Sequence, residues 1–104
     1  MERTFQLTAQ AAEDLDSLWW FIARDSRDAA DRVEGKIVEA CRRLAQYPLI
    51  GSLRQDITCA PVRFWTVSKF PNYVIVYRPE TNPVQVIAIL QGNRELSTAL
   101  GSRI

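Results

Sequence analysis

Apolar residues recur at Ala11, Leu15, Leu18 and Ile22, the i, i+4, i+7, i+11 spacing of one helical face. At about 100° per residue these four fall on a narrow stripe, with Trp19 and Phe21 on its flanks. The spacing predicts a helix from Ala9 to about Asp25, with Thr8 at its N-cap position. Trp19 is expected in the core. Trp20 falls on the opposite side, where a large apolar ring has no obvious reason to be. A second stripe, Ala30, Val33, Ile37, Cys41 and Leu44, predicts a helix over 27–46 behind a Ser26 cap. Arg32, Lys36, Glu39 and Arg43 make its wet side. Pro48 and Gly51 end it. The short link around 24–27 joins the two as an antiparallel hairpin.

Outside the helices the period shortens to two. Residues 3–7 read as a short strand with Phe5 and Leu7 on one face. Residues 62–67, 73–78 and 84–90 are rich in β-branched and aromatic residues and read as three more. Pro71-Asn72 and the stretch from Pro79 to Pro83 sit between them as turns. Residues 53–57 suggest a further edge strand, and 93–100 a short terminal helix capped by Asn93.

The order β-α-α-β-β-β predicts an α+β domain over 1–104: an antiparallel sheet of four to five strands with a helical hairpin on one face. The last two predicted strands are apolar on both faces. One face is left for the terminal segment or a partner to cover, or it stays exposed.

Composition removes several kinds of chemistry. Histidine is absent, which excludes Ser-His and Cys-His pairs and the commonest metal ligand. Cys41 and Cys59 lack the paired spacing of a zinc site and read as reduced. No metal or cofactor is therefore expected. No apolar stretch approaches a membrane span and no secretory pattern opens the chain, so a cytoplasmic location is the expectation. Residues 1–47 hold seven Lys and Arg against nine Asp and Glu, and 48–104 hold six against three. That asymmetry is weak beside the basic excess of dedicated nucleic-acid binders, so sequence-specific nucleic-acid binding is not expected.

Arg63, Trp65, Lys69, Tyr73, Tyr77, Arg78 and Arg94 are the candidates for chemistry. Cations beside aromatic rings suit RNA. They equally suit a protein interface, where Trp, Tyr and Arg are the usual anchors, or an amphipathic sheet with solvated charges. Glu13, Asp14, Asp16 and Asp25 crowd the first helix and read as ordinary surface charge. Trp20, one helical turn from Asp16 and Arg24 and about two from Glu13 and Arg27, is either incidentally exposed or a partner contact.

The segments LTAQAAEDLDSLWWFIARDS, AADRVEGKIVEACRRLAQYPLIGSLRQDI, VRFWTVSKFPNYVIVYRP and VIAILQGNREL, in this order, resemble the RelE/ParE toxin superfamily. The most specific pieces are the turn built on Leu44, Ala45, Pro48 and Gly51, the YVIVYR strand and the G-x-R-E-L end. The likeness runs from about residue 5 to residue 100. It implies the toxin of a type II toxin–antitoxin, or plasmid stabilisation, module, with the first strand beside the last and a ParD-like protein antitoxin as partner. It leaves the oligomeric state open, a higher-order toxin–antitoxin assembly included.

The resemblance implies one of two activities. RelE-like members cut mRNA on the ribosome with several basic groups and a C-terminal tyrosine. ParE-like members inhibit DNA gyrase without nuclease chemistry. Here the positions of the paired lysines look like Arg63 and Trp65, that of the next arginine like Val74, and that of the tyrosine like Leu100. Of the basic set only Arg63 and Arg94 remain, which favours the non-enzymatic, gyrase-inhibiting reading over ribosome-dependent cleavage. A non-toxic module that only binds an antitoxin is the third reading. No catalytic residue is expected. Trp20, Arg63, Trp65, Tyr73 and Arg94 are the expected antitoxin- or target-binding residues, with Arg94 either on the target surface or holding the terminal helix to the sheet.

Overall fold

The computed structural model describes residues 4–92 and 95–104, with only the backbone at Pro71. Strand β1 (Phe5–Leu7) leads into helices α1 (Ala9–Ala23) and α2 (Arg27–Gln46). Strands β2 (Arg63–Val67), β3 (Phe70–Arg78) and β4 (Val84–Gln91) follow, then the short helix α3 (Leu96–Leu100). Both predicted caps form. Thr8 Oγ1 accepts from Ala11 N at 3.1 Å and Ser26 Oγ from Ala29 N at 3.1 Å, each satisfying a donor that the first helical turn leaves open.

The strand order is β1-β4-β3-β2. β2, β3 and β4 pair antiparallel, but β1 runs parallel to β4, so the sheet is mixed rather than wholly antiparallel. A parallel pair requires a crossover, and everything between β1 and β4, including the helical hairpin and the long connection 47–62, supplies it. No fifth strand forms at 53–57. Ile57 N and Thr58 N donate back to Arg54 O, which takes them from any ladder, and only a single bridge joins Ser52 to Phe64. The β2–β3 turn is at Ser68-Lys69, not at Pro71-Asn72. Lys69 takes the left-handed backbone, φ 70°, that such a tight turn needs. Pro71 and Asn72 lie inside β3, where the register against β2 shifts, and a bulge is where a strand tolerates a residue without an N–H.

Two apolar clusters sandwich the sheet. On the helical side Val33, Ile37, Cys41 and Leu44 of α2 meet Ile75, Tyr77, Val86 and Ile89, with Leu15, Leu18 and Ile22 of α1 packed alongside. On the other side Phe64, Val76, Ile87, Ala88 and Leu90 are covered by Leu96 and Leu100 of α3 and by Ile57, Ala60 and Val62. The second face is thus closed by the chain itself. The N-cap of α3 is Glu95, whose carboxylate accepts from Ser97 N at 3.3 Å, and the expected cap Asn93 lies outside the described residues.

Tyr77 ties the two halves together. Its side chain is fully buried, its hydroxyl donates to Pro48 O at 2.7 Å and accepts from Gly51 N at 2.9 Å. A Cβ on Gly51 would sit 2.5 Å from that hydroxyl oxygen, which explains a glycine at this turn by close approach. Arg63 completes the lock by donating to Gly51 O at 2.7 Å and Leu49 O at 3.2 Å.

Tyr77→Phe leaves Pro48 O and Gly51 N short of a partner and should lower stability by about 1–3 kcal/mol in urea titration, with an unchanged circular dichroism spectrum. Burial, outweighing the Gly51 hydrogen bond and nearby Arg63, raises the Tyr77 pKa above the ordinary 10.0. The stability linked to the neutral phenol is complete below pH 10 and is lost as pH rises through the folded value. The wild-type chain should therefore lose stability above pH 10 more steeply than the Phe variant. Burial also pushes the Cys41 thiol up to about 12, whereas Cys59 is exposed. An aromatic disulfide reagent should label Cys59 in the native chain and reach Cys41 only after denaturation, and fast labelling of both would contradict this core.

Candidate protein-docking site

Three consecutive aromatics, Trp19, Trp20 and Phe21, lie in the second half of α1. Consecutive residues on a helix are about 100° apart, so a single core cannot take all three. Trp20 is 56% exposed, as its phase requires. Phe21, expected on the flank of the buried stripe, is 60% exposed. Trp19 is not core either. It is half-buried at the rim of the hairpin, and its Nε1 donates to Asp31 Oδ1 of α2 at 2.9 Å. The Trp19 and Trp20 rings meet edge-to-face, centroids 5.1 Å apart and planes at 87°. Trp19 is therefore pinned to α2, and Trp20 is propped against it as a preorganised aromatic surface.

The exposure has a structural cause. β1 pairs with β4 only from Val84 to Val86, so the rest of β4 has no strand on that side. Nearest to β1, α1 and the C-terminus fill the gap. Asp14 Oδ2 accepts from Ile89 N at 3.0 Å, Arg103 donates to Ile87 O at 3.2 Å, and the two side chains form an ion pair, each 15% exposed. Further along, a groove of about 370 Å³ opens between α1 and β4, lined by Leu18, Phe21, Ile89, Leu90 and Gln91 among others. It continues over Phe21 and Ser17 into a shallow cleft of about 550 Å³ formed by Asp16, Trp20 and Arg24. Aromatic and aliphatic side chains flanked by Asp14, Asp16 and Arg24 suit a protein segment that buries a large side chain and pairs its own charges at the rim. Arg27, counted about two turns from Trp20, begins α2, as the predicted helix over 27–46 requires, and so does not belong to the α1 face.

The other expected site residues do not join Trp20. Trp65 and Tyr73 are half-buried on the helix-covered face, packed against the larger core cluster. Trp65 borders a separate groove between α2 and β2. Arg63 lies on the same strand, but its guanidinium holds the Leu49–Gly51 turn. Tyr77 is interior, and Arg78 donates to Gln85 Oε1 at 2.5 Å and to Arg103 O at 3.2 Å. Arg94 lies outside the described residues. Val74 and Leu100 pack in the cluster on the opposite face from Trp65. Among the described residues no three His, Cys, Asp or Glu side chains gather as a metal site would require. No described helix is long and apolar enough to cross a membrane.

Sequence reasoning missed Asp14, Phe21 and Arg103. Asp14 had a legible signal: it lies three residues after Ala11 and four before Leu18, inside the apolar stripe, where an acid needs a partner. The WWF run carried the signal for Phe21. Nothing local marks Arg103, whose partner is 89 residues away.

The comparisons with known proteins agree with this architecture. A solved structure titled "Chromosomal ParDE TA system from P. aeruginosa" matches with a TM-score of 0.70 at 22% identity, over 86% of this chain and 96% of that one. No curated protein matches. The family described as "ParE toxin of type II toxin-antitoxin system, parDE" matches residues 5–96, and the chain belongs to that family.

Proposed function

We propose that the chain acts in the cytoplasm as a toxin that inhibits DNA gyrase by binding it, and that a protein antitoxin neutralises it. The observation that carries the non-enzymatic reading is the fate of the positions resembling the nuclease set. Of these, Arg63 is engaged by backbone carbonyls, Trp65 is aromatic, and Val74 and Leu100 are apolar and face the other side of the sheet. Phosphodiester cleavage by side chains needs cations and a proton-transfer group converging on one phosphate. Among the described positions of the set no such convergence forms, and Arg94 lies outside them. Binding needs only complementary surface, and the Trp20–Phe21 groove offers it.

Adding the purified chain to gyrase should suppress supercoiling. Normal supercoiling at stoichiometric excess of folded protein, or transcripts cut within codons on induction, would reject gyrase inhibition. Growth without arrest on expression of the chain alone would instead mark an antitoxin-binding module without toxicity.

We assign the antitoxin contact to Trp20. A ParD-like segment that orders on binding must offset the entropy of ordering, and a rigid aromatic anchor is the economical way to do so. Trp20→Ala should keep the fold and lower the thermal midpoint only slightly, because the ring is more than half exposed and gives up one edge-to-face contact with Trp19. It should weaken antitoxin binding at least about tenfold, within the range for an aromatic anchor. Unchanged affinity in calorimetry would move the contact to the sheet side near Trp65 and Tyr73.

A further inference from the structure

Away from Trp20, the wet side of α2 faces the β2–β3 hairpin across a groove. Two clefts of about 520 and 500 Å³ share Lys36 and Glu39 and so form one trough. One wall is the helical stripe Arg32, Lys36 and Arg43. The facing wall carries Trp65 at one end and Lys69 at the other. Among the described residues, Lys36 alone of these cations has an acidic partner, Glu39 at 3.4 Å. A chain with a net charge of only +1 thus concentrates cations in one trough beside an accessible indole.

Unpaired guanidinium groups aligned along a groove select carboxylates or phosphates, and Arg grips a carboxylate with two parallel hydrogen bonds. We propose that this trough is a second docking surface, which takes an extended acidic segment of a partner protein. Arg32 and Arg43 are eleven residues apart, about 16 Å along the helix at ~1.5 Å per residue. An extended peptide covers that span with about five residues at ~3.3 Å each. Carboxylates at its two ends reach Arg32 and Arg43, and a bulky apolar side chain next to the carboxylate on Arg43 rests on Trp65. Glu39 decides against a nucleic acid strand. It lines both clefts with its side chain 70% exposed, and a phosphate backbone, charged at every nucleotide, cannot pass it without repulsion. A peptide places an uncharged residue there. The trough shares no lining residue with the Trp20–Phe21 groove, so the two surfaces can be occupied independently. Its binding does not depend on which enzyme the toxin inhibits.

Fluorescence anisotropy with a labelled peptide Glu-Asp-Leu-Phe-Glu-Asp and, separately, a labelled short oligouridylate tests this on the full chain. The acidic peptide should bind, more weakly as salt rises, and its counterpart with lysine for each acid should not. Arg32→Glu with Arg43→Glu places two good helix formers at exposed positions, so the fold is retained. It should weaken peptide binding at least about tenfold. Trp20→Ala should leave it unchanged. Absence of peptide binding, equal binding by the charge-reversed variant, or tighter binding of the oligouridylate overturns the proposal.

Discussion

The hydroxyl of Tyr77 is the constraint on which the rest of the fold depends. It is a polar atom on a wholly buried ring, and it can stay there only if both its donor and its acceptor capacity are met. Pro48 O and Gly51 N meet them, and both belong to the turn that ends α2. The bond therefore sets where the chain leaves the helix relative to the sheet. Arg63 grips the same turn from β2, and the bridge from Ser52 to Phe64 aligns the turn with that strand. With the end of α2 fixed, Ile37 and Leu44 come to rest on Ile75, Tyr77 and Val86. Burying such aliphatic side chains contributes roughly 1.5–3 kcal/mol each and there are many of them, whereas a typical hydrogen bond nets about 0.5–1.5 kcal/mol. The hydrogen bonds supply register, and the apolar contacts supply most of the stability.

A three-residue β1 beside an eight-residue β4 creates the second constraint. An unpaired strand edge inside a packed domain must find other partners or face water. Near β1 the partners are charged. Asp14 and Arg103 satisfy Ile89 N and Ile87 O while neutralising each other. Removing one member leaves the other charge without its partner where water reaches it only in part, which destabilises the fold. The pair also fastens the C-terminus to α1, so the segment that follows α3 is part of the folded unit. Farther along, the edge is left open under the overhang of α1, and there the exposed Phe21 and Trp20 lie. The short strand and the exposed aromatics are thus one feature seen from two sides.

The two grooves differ in the physics they use. The Trp20–Phe21 groove sets aromatic and aliphatic side chains among Asp16, Arg24 and an Asp14 already paired with Arg103, so it rewards area and shape more than net charge. The α2 trough holds Arg32 and Arg43, which have no acidic partner among the described residues, beside the Trp65 ring, so it rewards opposite charge and responds to salt.

Much of this was legible in the sequence. The 3.6-residue stripes of α1 and α2, their Thr8 and Ser26 caps and the outward phase of Trp20 follow from local rules, because a helix satisfies its hydrogen bonds within itself. The strands were legible as segments, and the superfamily likeness carried the family. Only tertiary structure decided how the strands pair. The parallel sense of β1, the Ser68-Lys69 turn and the loss of a strand at 53–57 all depend on ladder partners far away in the chain. The roles of Tyr77, Arg63 and Asp14 changed for the same reason. Each is a polar side chain whose surroundings come from elements that local sequence does not contain. Tyr77 and Arg63 read as candidates for chemistry until Pro48, Leu49 and Gly51 arrive beside them. Asp14 reads as surface charge until Arg103 does. Sequence periodicity tells which face of an element avoids water, and only packing tells what that face meets.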